Sequence, residues 1–149
     1  MEETDLGRIV ELERACFSNP WSLASFEHEL ENPISHMRVL ETEEGILGHI
    51  GYWMVLDEVH LLTIAIDEAH RGKGLARFLM HEMITHAKEA GAKHMVLEVR
   101  ENNESAIRLY ERFGFLPAGR IHNYYPEEKQ DAIIMRKELE DEAAADICH

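Results

Sequence analysis

A basic, glycine-rich turn follows an apolar strand near the middle of the chain. Leu61–Ile66 is apolar and β-branched, as is typical of a strand buried on both faces, and Arg71-Gly72-Lys73-Gly74-Leu75-Ala76-Arg77 then opens a helix. Glycines let the backbone turn tightly, and a helix start adds orphan N–H donors and a positive dipole end. Together these features predict a cradle for an anion, most plausibly a diphosphate.

The charge pattern favours the same ligand. The 149-residue chain has a net charge of −14, yet residues 69–81 contain no Asp or Glu and carry Arg71, Lys73 and Arg77. A local cationic window in an acidic protein suits a polyanion. From these residues alone, a helix start that happens to be basic remains the alternative.

Two other phosphate-binding motifs are excluded, the P-loop at two positions and the dinucleotide fingerprint at one. A P-loop requires Gly where Asp67 stands and Ser or Thr where Gly74 stands. A dinucleotide fingerprint requires a third glycine at the position of Arg77.

A second stretch, from Leu97 to Phe115, holds a carboxylate and a phenol. Glu98 interrupts an apolar strand, where a carboxylate is costly unless it has a partner or a function. Tyr110 lies on the following helix, and Asn103 precedes that helix. The alternatives are a sheet-end residue facing water for Glu98, core packing for Tyr110, and loop or cap polarity for Asn103.

Length and composition bound the class of protein. Apolar residues make up 45% and charged residues 30%, which is typical of one globular domain, and no apolar run is long enough to span a membrane. The acidic start is unlike a signal peptide, and two distant cysteines suggest no disulfide framework. We therefore expect a cytoplasmic protein that binds neither a membrane nor nucleic acid directly.

Hydrophobic periodicity with Pro and Gly breaks predicts four helices and six strands. The predicted helices are residues 6–17, 22–30, 74–90 and 105–113, and the predicted strands are 37–41, 46–56, 61–66, 95–99, 115–121 and 132–137. The third strand, third helix and fourth strand form a βαβ unit, so these two strands should be parallel.

The two stretches, at this separation and in this context, resemble the GNAT acetyltransferase superfamily. The residues that carry the resemblance are Arg71-x-x-Gly74-x-Ala76, Asn103 and the block Ala106–Phe115. Within the superfamily, three features are similar to the bacterial ribosomal-protein-alanine N-acetyltransferases. They are Asn19-Pro20-Trp21-Ser22, Leu97-Glu98-Val99-Arg100, and Asn123-Tyr124-Tyr125-Pro126 with Asp131-Ala132-Ile133-Ile134-Met135.

The resemblance implies an α/β (α+β) fold with a central mixed, mostly antiparallel twisted sheet and helices on both faces. A splayed parallel strand pair would lie at the cofactor site. Only five residues precede Leu6, so the family's first strand is expected to be missing or truncated. Residues 1–139 would be a single domain and residues 140–149 a disordered acidic tail.

The resemblance also implies roles for individual residues. Acetyl-CoA would be the donor, Glu98 the general base and Tyr110 the acid that protonates the leaving thiolate. The acceptor would be the N-terminal amine of a ribosomal protein. The expected cofactor-binding residues are Ile64, Ala65, Ile66, Arg71, Gly72, Lys73, Gly74, Leu75, Ala76, Arg77 and Asn103, and the expected walls of the acceptor groove are Trp21, Tyr124 and Tyr125.

An α-amine is a much easier acceptor than a lysine. With pKa values of about 7.8 and 10.4, the two differ by roughly 3.5 kcal/mol in the cost of reaching the neutral form at neutral pH. Transfer to lysine or a small amine and a non-catalytic acyl-CoA-binding module remain the other hypotheses. No metal is expected, because no histidine pair has metal-site spacing, and Cys16 is expected to be a buried structural thiol.

Overall fold

The computed structural model describes residues 1–17, 20–126 and 129–139. Its helices are α1 (Leu6–Cys16), α2 (Leu23–Glu31), α3 (Leu75–Glu89) and α4 (Glu104–Arg112), and its strands are β1 (Ser35–Thr42), β2 (Gly45–Val55), β3 (Glu58–Ile66), β4 (His94–Arg100), β5 (Leu116–Tyr125) and β6 (Gln130–Glu138). Single 3₁₀ turns span Glu3–Asp5 and Glu68–His70. Asn19 and the predicted tail, residues 140–149, lie outside the described residues.

The chain divides into two compact units. The first contains Met1–Met54 and Leu62–Thr85, and the second contains Val55–Leu61 and the described residues from His86 onward. The boundary passes through β3 and through α3. No helix among the described residues is long and apolar enough to cross a membrane.

The first unit has its core where α1 and α2 meet β1. Ile9 and Leu12 of α1 and Phe26 of α2 are fully buried, and Met37 of β1 joins the same cluster. Ser22 is the N-cap of α2, and its hydroxyl accepts a hydrogen bond from the Ser25 amide at 3.1 Å. The β1–β2 hairpin is antiparallel, with Met37 opposite Gly51.

The second unit is built on β4, β5 and β6. Alternate residues of β4 are buried, namely Met95, Leu97 and Val99, and the residues between them, including Glu98, are half-buried on the opposite face. β4 pairs with β6 and β6 with β5, both antiparallel. Phe115 is fully buried and its ring contacts that of Tyr110 edge-on.

The strand order is β1-β2-β3-β4-β6-β5. The predicted mixed sheet and the parallel pairing of β3 with β4 are confirmed, with register pairs from Glu58↔His94 to His60↔Val96. β3 continues beyond these pairs to Ile66 and β4 to Arg100.

Several details of the predicted faces were wrong. The apolar periodicity of the predicted helices 22–30 and 74–90 places Leu23 and Phe78 on their inward faces, but both side chains are about half exposed, at 47% and 50%. α3 instead buries Leu79, Met80, Met83, Ile84 and Ala87. β3 alternates between buried and half-buried residues rather than being buried on both faces. The buried face of a helix can differ by one residue position from the predicted face, because the same apolar periodicity predicts the helix in both cases.

Candidate active site

The glycine-rich turn has the open backbone that an anion cradle requires. Gly72 and Gly74 have φ values of +80° and +83°, and no atom within 4 Å would meet a Cβ at either position. The first backbone bond of α3 runs from the Phe78 amide to the Gly74 carbonyl at 3.1 Å. Within the described part of the chain, none of the amides of residues 72–77 donates to another backbone group. This arrangement can bind a phosphate group.

Helix α1 and the turn after β3 are held together by side chains at Asp67. Arg8 donates from Nη2 to Asp67 Oδ1 at 3.0 Å and from Nε to the Ile46 carbonyl at 3.0 Å. His70 Nδ1 donates to Asp67 Oδ2 at 2.7 Å, and its Nε2 lies 2.6 Å from Glu44 Oε2. These bonds lower the pKa of Asp67, chiefly through His70, and raise that of His70, chiefly through Asp67. The strand end that precedes the glycines is therefore fixed on several sides.

Arg71 turns its side chain back onto the end of β3. Its Nε donates to the Ile66 carbonyl at 3.3 Å, and its Nη2 lies 3.1 Å from Cys16 Sγ. The Cys16 thiol itself donates to the Ile66 carbonyl at 3.4 Å. Cys16 is half-buried at this polar contact, so the expectation that its thiol is buried was wrong.

Glu98 has a close partner that the sequence analysis did not identify. Its Oε2 accepts a hydrogen bond from His60 Nε2 at 2.6 Å, and both side chains are about one-quarter exposed, at 23% and 27%. The bond to Glu98 is the main reason that the pKa of His60 is raised. Glu98 is thus a half-buried, partnered carboxylate that also reaches solvent, which is compatible with a base.

Tyr110 is buried on α4. Burial raises the pKa of its phenol well above the ordinary value, and the neighbouring Tyr125 adds to the effect. Tyr110 therefore stays protonated at neutral pH, which suits a proton donor. The same burial agrees with the core-packing alternative, since its ring packs against Phe115.

Asn103 is the N-cap of α4. Its Oδ1 accepts a hydrogen bond from the Ala106 amide at 3.3 Å. The structure therefore assigns it the local role that the sequence left as the alternative, and contact with a cofactor stays a prediction.

The predicted acceptor-groove residues lie in both units. In the first, Trp21 is half-buried and packs against Phe26, with ring centroids 5.2 Å apart. In the second, Tyr124 is 48% exposed and meets Tyr125 edge-on at 4.9 Å, while the Arg100 guanidinium lies 4.3 Å from the Tyr125 ring centroid. A substrate role for these three residues stays a prediction.

Asp131 organises the β5–β6 hairpin beside the tyrosine pair. Its Oδ1 accepts a hydrogen bond from the Asn123 amide at 2.8 Å, and its Oδ2 accepts one from Arg120 at 2.9 Å. Asn123 has a positive φ of 53°, and the strand register shifts between Ile121 and Tyr125. The carboxylate thus stabilises the backbone irregularity from which Tyr124 and Tyr125 extend.

The predicted site residues divide between the units. Ile64–Ile66 and Arg71–Arg77 lie in the first, and Glu98, Asn103 and Tyr110 in the second. His60, Asp67, His70 and Asp131 were missed because each makes contacts with residues distant in sequence. For Asp131 a signal existed, since it belongs to the block Asp131–Met135 that contributes to the family resemblance, whereas His60 lies just before the predicted strand 61–66. No cluster of three metal-ligating side chains occurs among the described residues.

Comparison with known proteins gives consistent matches over most of the chain. Residues 6–115 match the model of the acetyltransferase (GNAT) family. A protein of Bacillus subtilis named putative [ribosomal protein bS18]-alanine N-acetyltransferase is 38% identical over 136 residues, covering 91% of this chain and 90% of that protein. The [ribosomal protein bS18]-alanine N-acetyltransferase of Escherichia coli K12 is 34% identical over 138 residues, covering 91% and 92%.

A solved structure gives the same result in three dimensions. The crystal structure of the ribosomal-protein-S18-alanine N-acetyltransferase from Escherichia coli superposes with a TM-score of 0.86 at 32% identity. The match covers 93% of this chain and 90% of that one.

Proposed function

The chain belongs to the acetyltransferase (GNAT) family, and on that premise we propose that it transfers acetyl from acetyl-CoA to the N-terminal alanine amine of a ribosomal protein. The choice of acceptor rests on similarity to proteins that are named for this modification of bS18. The identities are 38% and 34%, each over 91% of this chain. We further propose that residues 1–139 act as one catalytic domain, and that the reaction takes place in the cytoplasm, where ribosomal proteins are made.

The glycine-rich turn is the proposed site for the diphosphate of the donor. The unbonded amides of residues 72–77, together with Lys73 and Arg77, offer donors and positive charge in an otherwise acidic chain. Backbone groups of Ile64–Ile66 are proposed to pair with the pantetheine arm as a short strand would. When bound, acetyl-CoA supplies a thioester whose carbonyl carbon an amine can attack.

Glu98 is the proposed general base and Tyr110 the proposed acid. Glu98 removes the proton from the acceptor amine, whose nitrogen forms a bond to the acetyl carbon while the carbon–sulfur bond breaks. Tyr110 gives its proton to the departing sulfur. Its burial supports this role, because the surroundings that keep the phenol neutral also disfavour a bare thiolate beside it. An acceptor with a pKa of about 7.8 needs only modest help from its base.

A peptide assay tests the acceptor. The purified protein is given acetyl-CoA and either a peptide with a free N-terminal alanine or the same peptide with a blocked N-terminus and one internal lysine, and thiol release is measured. We expect release with the free alanine peptide only. Release with the lysine peptide alone would assign the transfer to a side-chain amine, and binding of acetyl-CoA without turnover on either peptide would indicate a binding module.

A further inference from the structure

We propose that His60 is a positioning residue for Glu98, and that the two side chains act as one unit in accepting the proton of the acceptor amine. The inference rests on the proposed function, because it assigns His60 a role through the proposed base. It begins from the bond between His60 Nε2 and Glu98 Oε2, which joins residues on two parallel strands.

The geometry gives Glu98 a fixed orientation. One carboxylate oxygen, Oε2, is occupied by the imidazole at 2.6 Å. A glutamate has three rotatable side-chain bonds, and a strong hydrogen bond to one oxygen restricts them. The other oxygen is then held in one direction, which is what removal of a proton from a bound amine requires.

The charge on His60 changes what Glu98 can do. Two carboxylates raise the pKa of the imidazole, namely Glu98 and, on the same strand as His60, Glu58. His94 and Arg100 lie on the same face of β4 as Glu98. On β6, Arg136 is opposite Val96, and Val96 is the residue of β4 that pairs with His60. The bond to Glu98 favours the protonated imidazole, so the pKa of His60 lies above its ordinary 6.5. A charged His60 weakens Glu98 as a base, and a neutral His60 that keeps its Nε2 proton still holds the carboxylate.

Two ionisations should therefore limit the rate in acid. The acceptor amine must lose its proton, and His60 must be neutral. On a logarithmic plot of kcat/KM against pH, the acid limb of the wild-type enzyme should approach a slope of two below about pH 6.5. The contribution of the His60–Glu98 pair to the free energy of unfolding also depends on the charge of His60. It is complete below pH 6.5 and is lost as the pH rises through the higher pKa of folded His60.

Two substitutions at one position separate the roles. His60→Gln places an amide N–H where Nε2 was but cannot ionise, so its acid limb should fall to a slope of one while its plateau kcat stays within about three-fold of wild type. His60→Ala removes the donor, so its plateau kcat should fall about 10- to 100-fold with KM for both substrates unchanged. A wild-type slope in His60→Gln, or a wild-type plateau in His60→Ala, would overturn the proposal.

His94→Gln is the matched control. His94 lies on the same face of β4 as Glu98, and it too bonds to a glutamate, through Nε2 to Glu58 Oε1 at 3.1 Å, but it does not bond to Glu98. We expect it to keep both the slope and the plateau. Equal effects at the two positions would mean that the face as a whole, not the His60–Glu98 pair, controls the rate.

An NMR titration tests the pair without turnover. The imidazole resonance of His60 should titrate at lower pH in Glu98→Gln than in wild type, and an unchanged midpoint would refute the pairing. This readout separates the present inference from the proposed function. If only the lysine peptide is acetylated, the acceptor assignment fails, and the His60 kinetics are then measured on that peptide.

Discussion

Glu98 combines three properties at one residue. It is half-buried, it lies on the polar side of an otherwise apolar strand, and one of its oxygens is occupied by His60. A carboxylate that only faced water at a sheet end would need no such partner. The buried phenol of Tyr110 lies in the same unit, which agrees with the proposal of an acid and a base working in one reaction.

Glu98→Gln should lower kcat mainly below neutral pH, and the difference from wild type should narrow again toward pH 6 as His60 becomes charged. Below neutral pH the α-amine is mostly protonated and needs a base, whereas above its pKa of about 7.8 most of it is already neutral. The measurement is kcat on the alanine peptide from pH 6 to pH 9. A variant that follows the wild-type pH profile at every point would remove Glu98 from the role of base.

A second carboxylate, Glu13, is fully buried in the first unit and serves structure. It accepts a hydrogen bond from the Thr63 hydroxyl, and its Oε1 lies 3.1 Å from Nε2 of the fully buried His49. That approach is close enough for an ion pair but does not have the geometry of a hydrogen bond. Because Thr63 immediately precedes Ile64, the contact ties α1 to the strand proposed to hold the donor.

Glu13→Ala should cost about 3 kcal/mol in the free energy of unfolding, because it leaves buried polar groups without their partner. Glu13→Gln keeps an acceptor for Thr63 and should lose less. Urea denaturation measures both. The control is Glu11→Ala on the same helix, where a 72% exposed side chain pairs with Arg8 and should contribute under about 0.5 kcal/mol. Equal stabilities of the two alanine variants would contradict a structural role for Glu13.

At the scale of elements, the turn before α3 depends on backbone conformation more than on side chains. Gly72 and Gly74 both adopt positive φ angles, which L-amino acids rarely accept but achiral glycine accepts readily. The open space at both positions means that strain, not a clash, is what a side chain would introduce.

Gly74→Ala should therefore raise KM for acetyl-CoA about five- to ten-fold and destabilise the fold by about 1–2 kcal/mol, with kcat little changed. Steady-state kinetics with varied acetyl-CoA measure the first effect and thermal unfolding the second. Gly7→Ala is the control, because Gly7 lies within α1 without a positive φ or a close neighbour. It should stabilise slightly and leave KM unchanged; a parallel rise in KM there would refute the special role of the turn.

The β5–β6 hairpin is an element whose irregularity has an identifiable cause. Asp131 receives hydrogen bonds from Asn123 and Arg120 across the hairpin, and these bonds lower its pKa. The register shift that accompanies these bonds lies between Ile121 and Tyr125 and therefore includes Tyr124. The rings of Tyr124 and Tyr125 meet edge-on within this irregular part of the hairpin, with centroids 4.9 Å apart.

At the scale of the molecule, the dominant feature is a net charge of −14. Such a field attracts cationic partners and is screened by salt. A basic protein N-terminus is the kind of acceptor that this field favours, while the donor's phosphates depend on the local cationic turn.

Raising the salt concentration from about 0.05 to 0.5 M should lower kcat/KM about five-fold for an alanine peptide rich in arginine, and less than two-fold for a neutral alanine peptide of equal length. Arginine is used because it adds charge without adding an acceptor amine. Initial rates at low peptide concentration give the ratio directly. Identical salt dependence of the two peptides would show that the net charge has no part in acceptor binding.

The sequence by itself determined the order of elements, the parallel βαβ unit and the glycine-rich turn, because hydrophobic periodicity and glycine conformation are local properties. It also singled out Glu98, since a carboxylate on an apolar strand is visible without a fold. Only the tertiary structure decided that His60 holds Glu98, that Glu13 meets Thr63 and His49, and that Asp131 shapes the hairpin. Alternation along a strand gives the face on which a side chain lies, whereas its partner depends on the register between strands, which contacts among distant segments set.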